Sequence, residues 1–361
     1  MKIGLIGLNQ TGKTTLFDLL TGKKDGIAAA GAKGPANIGT GLVPDERVDF
    51  LSGLYNPKKT TYAKIELTDV SGFSPSGDGV HSGAAKFLNE VRPCDAIVHV
   101  LRAFETGSVP HDLGSIDPAR DLEAVEMEML FADLEMIEKR LARIKTGKKI
   151  TKENADEMEL LQRCYDRLEN GGAILDMDLD EQERVSIRSF AFLTEKPRLA
   201  VVNPDDSQWG AKDWPGREAL ASLCSKLNIP LLELCVEMEL EISRLQEEDK
   251  QLFMEDMGID QPGVAVLARA VYGLLGQISF LTTGEDEVRA WTIADGTNAR
   301  NAAGKIHSDI ERGFIRAEVV KYSSIKELGS MAKVKEKGLF RLEGKEYIVA
   351  DGDIINFRFN V

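Results

Sequence analysis

Gly7-Leu8-Asn9-Gln10-Thr11-Gly12-Lys13-Thr14 follows the apolar run Lys2 to Ile6 and leads into Thr15-Leu16-Phe17-Asp18-Leu19-Leu20. The order is strand, glycine-bounded loop, helix, and the loop is a complete G-x-x-x-x-G-K-[ST] pattern. Each residue type meets a demand of phosphate chemistry. Gly7 and Gly12 let the backbone wrap an anion, so that N–H groups along Asn9, Gln10, Thr11, Gly12, Lys13, Thr14 and Thr15 point at phosphate. Lys13 is the catalytic cation that neutralises the β- and γ-phosphates. Thr14 offers a hydroxyl to Mg2+, which wants hard oxygen ligands and keeps some of its waters. The bland reading, a glycine turn with an incidental Lys-Thr, does not explain why the motif sits between a strand and a helix.

Downstream, Tyr62 to Thr68 alternates as a strand and ends in Asp69-Val70-Ser71-Gly72, a D-x-x-G pattern. An acid at a strand end beside the loop holds magnesium through water, and Gly72 frees an N–H to meet the γ-phosphate and sense its loss. Alone the pattern is common, but about 60 residues after a phosphate loop it has the spacing of a nucleotide switch domain. Position 73 is Phe73, where the usual catalytic glutamine is absent. Catalysis then draws on another group and is slow without a partner, because positioning and charge stabilisation carry phosphoryl transfer. A further strand, Arg198 to Val202, delivers Asn203-Pro204-Asp205-Asp206 where guanine-selective proteins carry N-K-x-D. Asn203 braces the loop and Asp206 faces the base, but Pro204 takes the lysine position, which leaves ATP and GTP both open. The same residues also suit an ordinary turn.

Composition bounds the rest. The 361 residues carry 45 basic and 59 acidic side chains, a net charge of -14 that excludes nucleic-acid binding through an overall positive field and argues against sequence-specific DNA recognition. Residues 276–361 hold 13 acids and 13 bases, so the last quarter is electrostatically distinct from the acidic remainder. Cys94, Cys164, Cys224 and Cys235 form no C-x-x-C pairs, which fits reduced thiols in a cytoplasmic protein better than a disulfide framework or zinc site. Neither an export signal nor a membrane span is expected, since no stretch approaches the ~20 apolar residues a span requires.

Taken with Val43-Pro44-Asp45, Asn56-Pro57-Lys58-Lys59, Cys94-Asp95-Ala96-Ile97-Val98-His99-Val100, Ala132-Asp133-Leu134-Glu135 and the closing run Leu342 to Val361, these motifs make the chain similar, in order and nearly throughout, to the Obg-like ATPase family of YchF type. The resemblance implies a translation-factor-class P-loop NTPase that hydrolyses ATP, GTP or both with magnesium, carries a helical insertion and a C-terminal TGS domain, and associates with ribosomes. It places Asn203 through Asp206 on the family's N-x-x-E motif, Cys235 and Val236 on the base side, and His111, in the loop Glu105 to Gly114, on a loop histidine that helps catalysis. The chain also departs from the pattern. Where the family loop reads G-x-P-N-V-G-K-S, this chain has Asn9, Gln10 and Thr11; Asp206 is shorter than the family's glutamate; and the glycine-rich stretch Gly26 to Pro35 has no aligned switch threonine, Thr40 being the nearest.

The expected fold class is α/β: an Obg-type nucleotide-binding domain over residues 1–117 and 197–275, a helical coiled-coil insertion over 118–196, and a β-grasp TGS domain over 276–361. In the insertion, Asp117-Pro118 starts a helix with Met127, Leu130, Leu134, Ile137, Leu141 and Ile144 on one face; a return helix with Met158, Leu161, Tyr165 and Leu168 stops at Gly171-Gly172; and a third helix fills Asp180 to Leu193. The hairpin tip holds Lys139, Arg140, Arg143, Lys145, Lys148, Lys149 and Lys152 with no acid between. By its residues the tip reads equally as an RNA-facing patch and as a solvated end, and the resemblance favours ribosomal RNA. In the last domain, strands are expected at Ile278–Leu281, Val288–Ile293, Ile315–Val320 and Tyr347–Phe359 around a helix at Asn298–Ile306, a module suited to docking. The competing classes are a weakly hydrolysing nucleotide-binding scaffold, favoured by Phe73, and a P-loop phosphotransferase with the arm as a lid, disfavoured by D-x-x-G and the docking domain.

Overall fold

Lys2 to Ile6 is apolar because a parallel strand with neighbours on both edges is covered on both faces. The computed structural model describes residues 1–22, 37–70, 72, 87–105, 110–147 and 151–360. Within them β1 (Lys2–Ile6), β2 (Asn37–Val43), β3 (Lys59–Thr61), β4 (Ala63–Asp69), β5 (Ala96–Arg102), β6 (Arg198–Asn203) and β7 (Leu231–Glu233) come first. All but β3 form one sheet in the order β2-β4-β1-β5-β6-β7, with β4, β1, β5, β6 and β7 parallel in succession. β5 and β6 are buried at every position. The strand order reverses beside β1, and in open α/β sheets ligands bind at such a switch point, outside the carboxyl ends of the strands. Gly7 and Gly72 lie just beyond those ends.

The helical arm is confirmed in outline. Asp117 caps the helix Pro118–Lys145 by accepting from Arg120 N–H, and Thr151 caps the return helix Lys152–Glu169. The buried face differs from the expected seam. Met127 is 51% exposed, and Val125 and Met129 are fully buried instead. They pack with Ile6, Leu8, Val70, Phe87 and Leu88 of the nucleotide core. Only the distal part, with Ile137 and Leu141, packs on Leu161, Cys164 and Leu168 of the return helix. The third helix is shorter than expected, Glu181–Ile187, held by a reciprocal Asp180–Glu183 capping box and followed by a 3-10 turn at Arg188–Phe190.

The remaining strands are β8 (Gln277–Thr282), β9 (Glu287–Ala294), β10 (Phe314–Lys321), β11 (Arg341–Glu343) and β12 (Asp353–Phe359), ordered β11-β10-β12-β8-β9-β3. The central β12–β8 pair is parallel and its flanking pairs are antiparallel, the β-grasp arrangement. The helix Ala299–Ile306, capped by Asn298, packs its alanines against Phe280, Val319 and Phe357. Phe280 stacks on Trp291 and meets Phe357 edge-on, at 6.3 and 5.7 Å between centroids. The last expected strand is confined to Asp353–Phe359, and β11 with the helices Ser308–Arg312, Tyr322–Leu328 and Met331–Glu336 adds to the expected elements.

The chain divides into two units, 1–40 with 66–264 and 41–65 with 265–361. The division differs from the expected one at 41–65, which lies with the C-terminal unit. There β3 extends the sheet along β9, and Arg47 bonds Asp351 through both terminal nitrogens.

Candidate active site

At Gly7 φ is +147°, and a Cβ would strike the carbonyl of Val100. At Gly12 φ is +96°, and a Cβ would lie 2.6 Å from Asn203 Nδ2. Glycine is therefore required at both ends of the loop. Gly12 caps the helix Lys13–Thr21 with no side-chain bond, so the first N–H groups are left for an anion. Gln10 bends the loop in the left-handed region at φ 59°.

Lys13 is buried, and its ammonium donates to the carbonyls of Gly7 and Leu8. Burial pushes its pKa down to about 8, against the opposing pull of Asp69 and Asp112. Thr14 Oγ1 donates to Asp69 Oδ2 at 3.0 Å. Burial raises the Asp69 pKa, while Thr14, Lys13 and Asn37 favour its charged form. The expected magnesium residues Thr14 and Asp69 are thus in direct contact. Thr15 stands half-buried on the first helical turn.

Asn203 ties two segments together. Its Nδ2 donates to Thr11 O at 3.1 Å, and its Oδ1 accepts from Val236 N–H at 3.0 Å. Asp206 Oδ1 accepts from Cys235 Sγ at 3.1 Å. Burial, reinforced by Asp206, pushes the Cys235 thiol up to about 12, so it remains a donor. The four expected base-side residues therefore form one group, with the Asp206 carboxylate held by Cys235.

His111 is turned toward the long helix. Its Nε2 lies 2.8 Å from Asp121 Oδ2, and its Nδ1 accepts from Leu113 N–H at 3.1 Å. The neighbouring Asp112 reaches the phosphate loop instead, accepting from Asn9 Nδ2 at 2.9 Å and from Asn9 N–H at 3.4 Å. Asn9 Oδ1 in turn is packed against Gly72. Asp112 and Asn37 are site residues that motif reading missed, and only an acid beside the loop histidine could have flagged the first. Thr40 is exposed on β2. The stretch Gly26–Pro35, Phe73, Lys148 and Lys149 lie outside the described residues. The four cysteines are free and buried, as expected for reduced thiols.

With this geometry in hand, known proteins were compared. A family model named YchF-GTPase_C, described as a protein of unknown function (DUF933), matches residues 277–360. A Bacillus subtilis protein named "Ribosome-binding ATPase YchF" is 40% identical over 99% of both chains. The chain belongs to the YchF family. A Haemophilus ducreyi YchF of the same printed name is 38% identical over 100% of this chain and 99% of its own. The solved YchF GTPase of Schizosaccharomyces pombe superposes with a TM-score of 0.86 at 28% identity, covering 99% of this chain and 97% of that one. The expected P-loop fold and family resemblance both hold.

Proposed function

We propose that this YchF chain is a magnesium-dependent nucleoside triphosphatase that hydrolyses the γ-phosphate of ATP or GTP as a conformational switch and works with ribosomes in the cytoplasm. The observation that carries this reading is the Thr14–Asp69 hydrogen bond beside Lys13, at the mouth of a glycine-bounded loop whose helix has no side-chain cap. Lys13 takes the β- and γ-phosphates, the N–H groups from Asn9 to Thr15 wrap them, and Gly72 senses the terminal one. Asn203 braces the loop, while Asp206, Cys235 and Val236 line the base side. His111 fixes its loop through Asp121.

Thr14 and Asp69 would hold magnesium. A hydroxyl and a carboxylate are hard oxygens, and this ion takes its other ligands from phosphate and water, so the lack of a larger His/Cys/Asp/Glu cluster among the described residues fits it. When bound, the ion bridges the β- and γ-phosphates and neutralises charge that develops there. The names of the relatives support the ribosome as partner. The basic tip Lys139 to Lys152 and the C-terminal TGS domain are the surfaces we assign to it, the tip meeting RNA phosphates.

Titration of fluorescent ATP and GTP analogues into wild type and Lys13→Ala, followed by turnover with and without ribosomes, tests the reading. Lys13-dependent binding with ribosome-stimulated hydrolysis supports it. Lys13-dependent binding without turnover in either condition favours the scaffold that Phe73 suggests. Binding indifferent to Lys13 sinks both.

A further inference from the structure

Phe73 leaves the attacking water without the usual glutamine, so some other group must orient it. We propose that Asp112 is that group: its carboxylate, held by Asn9, orients the water for attack on the γ-phosphate. This inference rests on the triphosphatase reading above.

The loop geometry selects Asp112 over its neighbours. Both ring nitrogens of His111 are engaged, one with Asp121 and one with Leu113 N–H. Leu113 packs against the core of Ile6, Leu8 and Val70. With 111 and 113 anchored this way, the residue between them faces the phosphate loop, and Asp112 Oδ2 lies 2.9 Å from Asn9 Nδ2. Asn9 Oδ1 is packed against Gly72, and the Lys13 ammonium feels the charge of Asp112. The carboxylate therefore stands among Lys13, Asn9 and Gly72, the residues that bracket the terminal phosphate in a loop of this kind. Asp69, the other nearby acid, is committed to Thr14 and Asn37.

The chemistry asks little of such a group. Water oxygen bonds to the γ-phosphorus as the bond from phosphorus to the β–γ bridging oxygen breaks, and the electron pair leaves with the nucleoside diphosphate. The carboxylate accepts one water O–H and fixes its direction, and the released proton leaves with inorganic phosphate. Repulsion between this carboxylate and the triphosphate is offset by Lys13 nearby. Asn9 is integral to the arrangement. The family's proline at this position has neither an N–H nor a side-chain amide, whereas Asn9 directs both donors at Asp112.

The test compares wild type, Asp112→Asn and Asn9→Ala in the full chain, measuring affinity for a non-hydrolysable ATP analogue and single-turnover phosphate release with ribosomes present. Asp112→Asn is expected to lower the hydrolysis rate roughly 100-fold with affinity unchanged within about twofold, and Asn9→Ala, which frees the carboxylate, to lower it about tenfold. A wild-type rate in Asp112→Asn overturns the proposal. So does tighter analogue binding at unchanged rate, which makes Asp112 an electrostatic gate. Wild type that binds through Lys13 without turnover overturns the proposal but leaves nucleotide binding intact. Lys13-independent binding removes the triphosphatase reading itself, and this inference with it.

Discussion

Lys13 is where burial and charge oppose each other most directly. In the free chain its ammonium titrates near 8, below the ordinary lysine range, because burial outweighs Asp69 and Asp112. Since only the protonated form neutralises phosphate, triphosphate affinity should hold from pH 7 toward 8 and fall about tenfold per unit above it. Analogue titrations from pH 7 to 9.5 check this, and a flat profile would show the ammonium pinned by its neighbours. Asn203 offers a second test. Replacing it with Ala strips Thr11 O and Val236 N–H of their buried partner, which should cost about 1–3 kcal/mol in stability. Analogue affinity should fall as well, because the same side chain spans the loop and the base side; loss of stability with intact affinity would restrict Asn203 to scaffolding. At this scale the motifs made Lys13, Thr14, Asp69 and Asn203 legible, since each occupies a fixed place in a spaced pattern. The division of labour between His111 and Asp112 was not legible, because an irregular loop has no periodicity to say which neighbour faces which surface.

Elements were legible where burial is uniform. β1, β5 and β6 read as apolar runs because parallel strands are covered on both faces. The long helix was legible in its limits, through Asp117-Pro118, but not in its facing. A 3-4 spacing shows that a helix has an apolar stripe, not which neighbour covers it, and here the nucleotide core takes Val125 and Met129 before the hairpin begins. Asp133 marks the same transition. Its carboxylate is fully buried, accepting from Thr194 N–H at 2.8 Å, Thr194 Oγ1 at 2.9 Å and Arg92 at 3.2 Å. Burial raises its pKa, and these bonds pull it back. Asp133→Ala leaves three donors unmatched at the root of the arm and should cost about 3 kcal/mol, with Asp133→Asn costing less because it keeps an acceptor. Chemical denaturation of the two variants measures this, and an Ala variant within about 1 kcal/mol of wild type would make the network incidental. The C-terminal helices Tyr322–Leu328 and Met331–Glu336 escaped sequence reading because six or seven residues span less than two turns, too short to show a period.

For the whole molecule the question is how a chain of net charge -14 meets an RNA-rich partner. Screening at physiological salt confines exposed charges to about 8 Å of influence, so the sum matters less than where the positive charge stands. The long helix has 28 residues, which carries its end about 42 Å from Pro118. At that end Lys139 pairs with Glu135 and Arg140 with Glu157. Arg143, Lys145 and Lys152 are exposed and make no ion pair among the described residues. These three are the described cations best placed to displace counterions from RNA. If they contact phosphates, replacing all three with Gln should flatten the log–log dependence of ribosome affinity on salt by about 2 to 3, near 0.7–0.9 per lost contact. Co-sedimentation with ribosomes over a salt series reads that slope. If the slope is unchanged while affinity remains, the tip is a solvated end and docking falls to the C-terminal domain. That domain's 13 acids and 13 bases give it no net field, so the salt dependence it supports should be shallow from the outset.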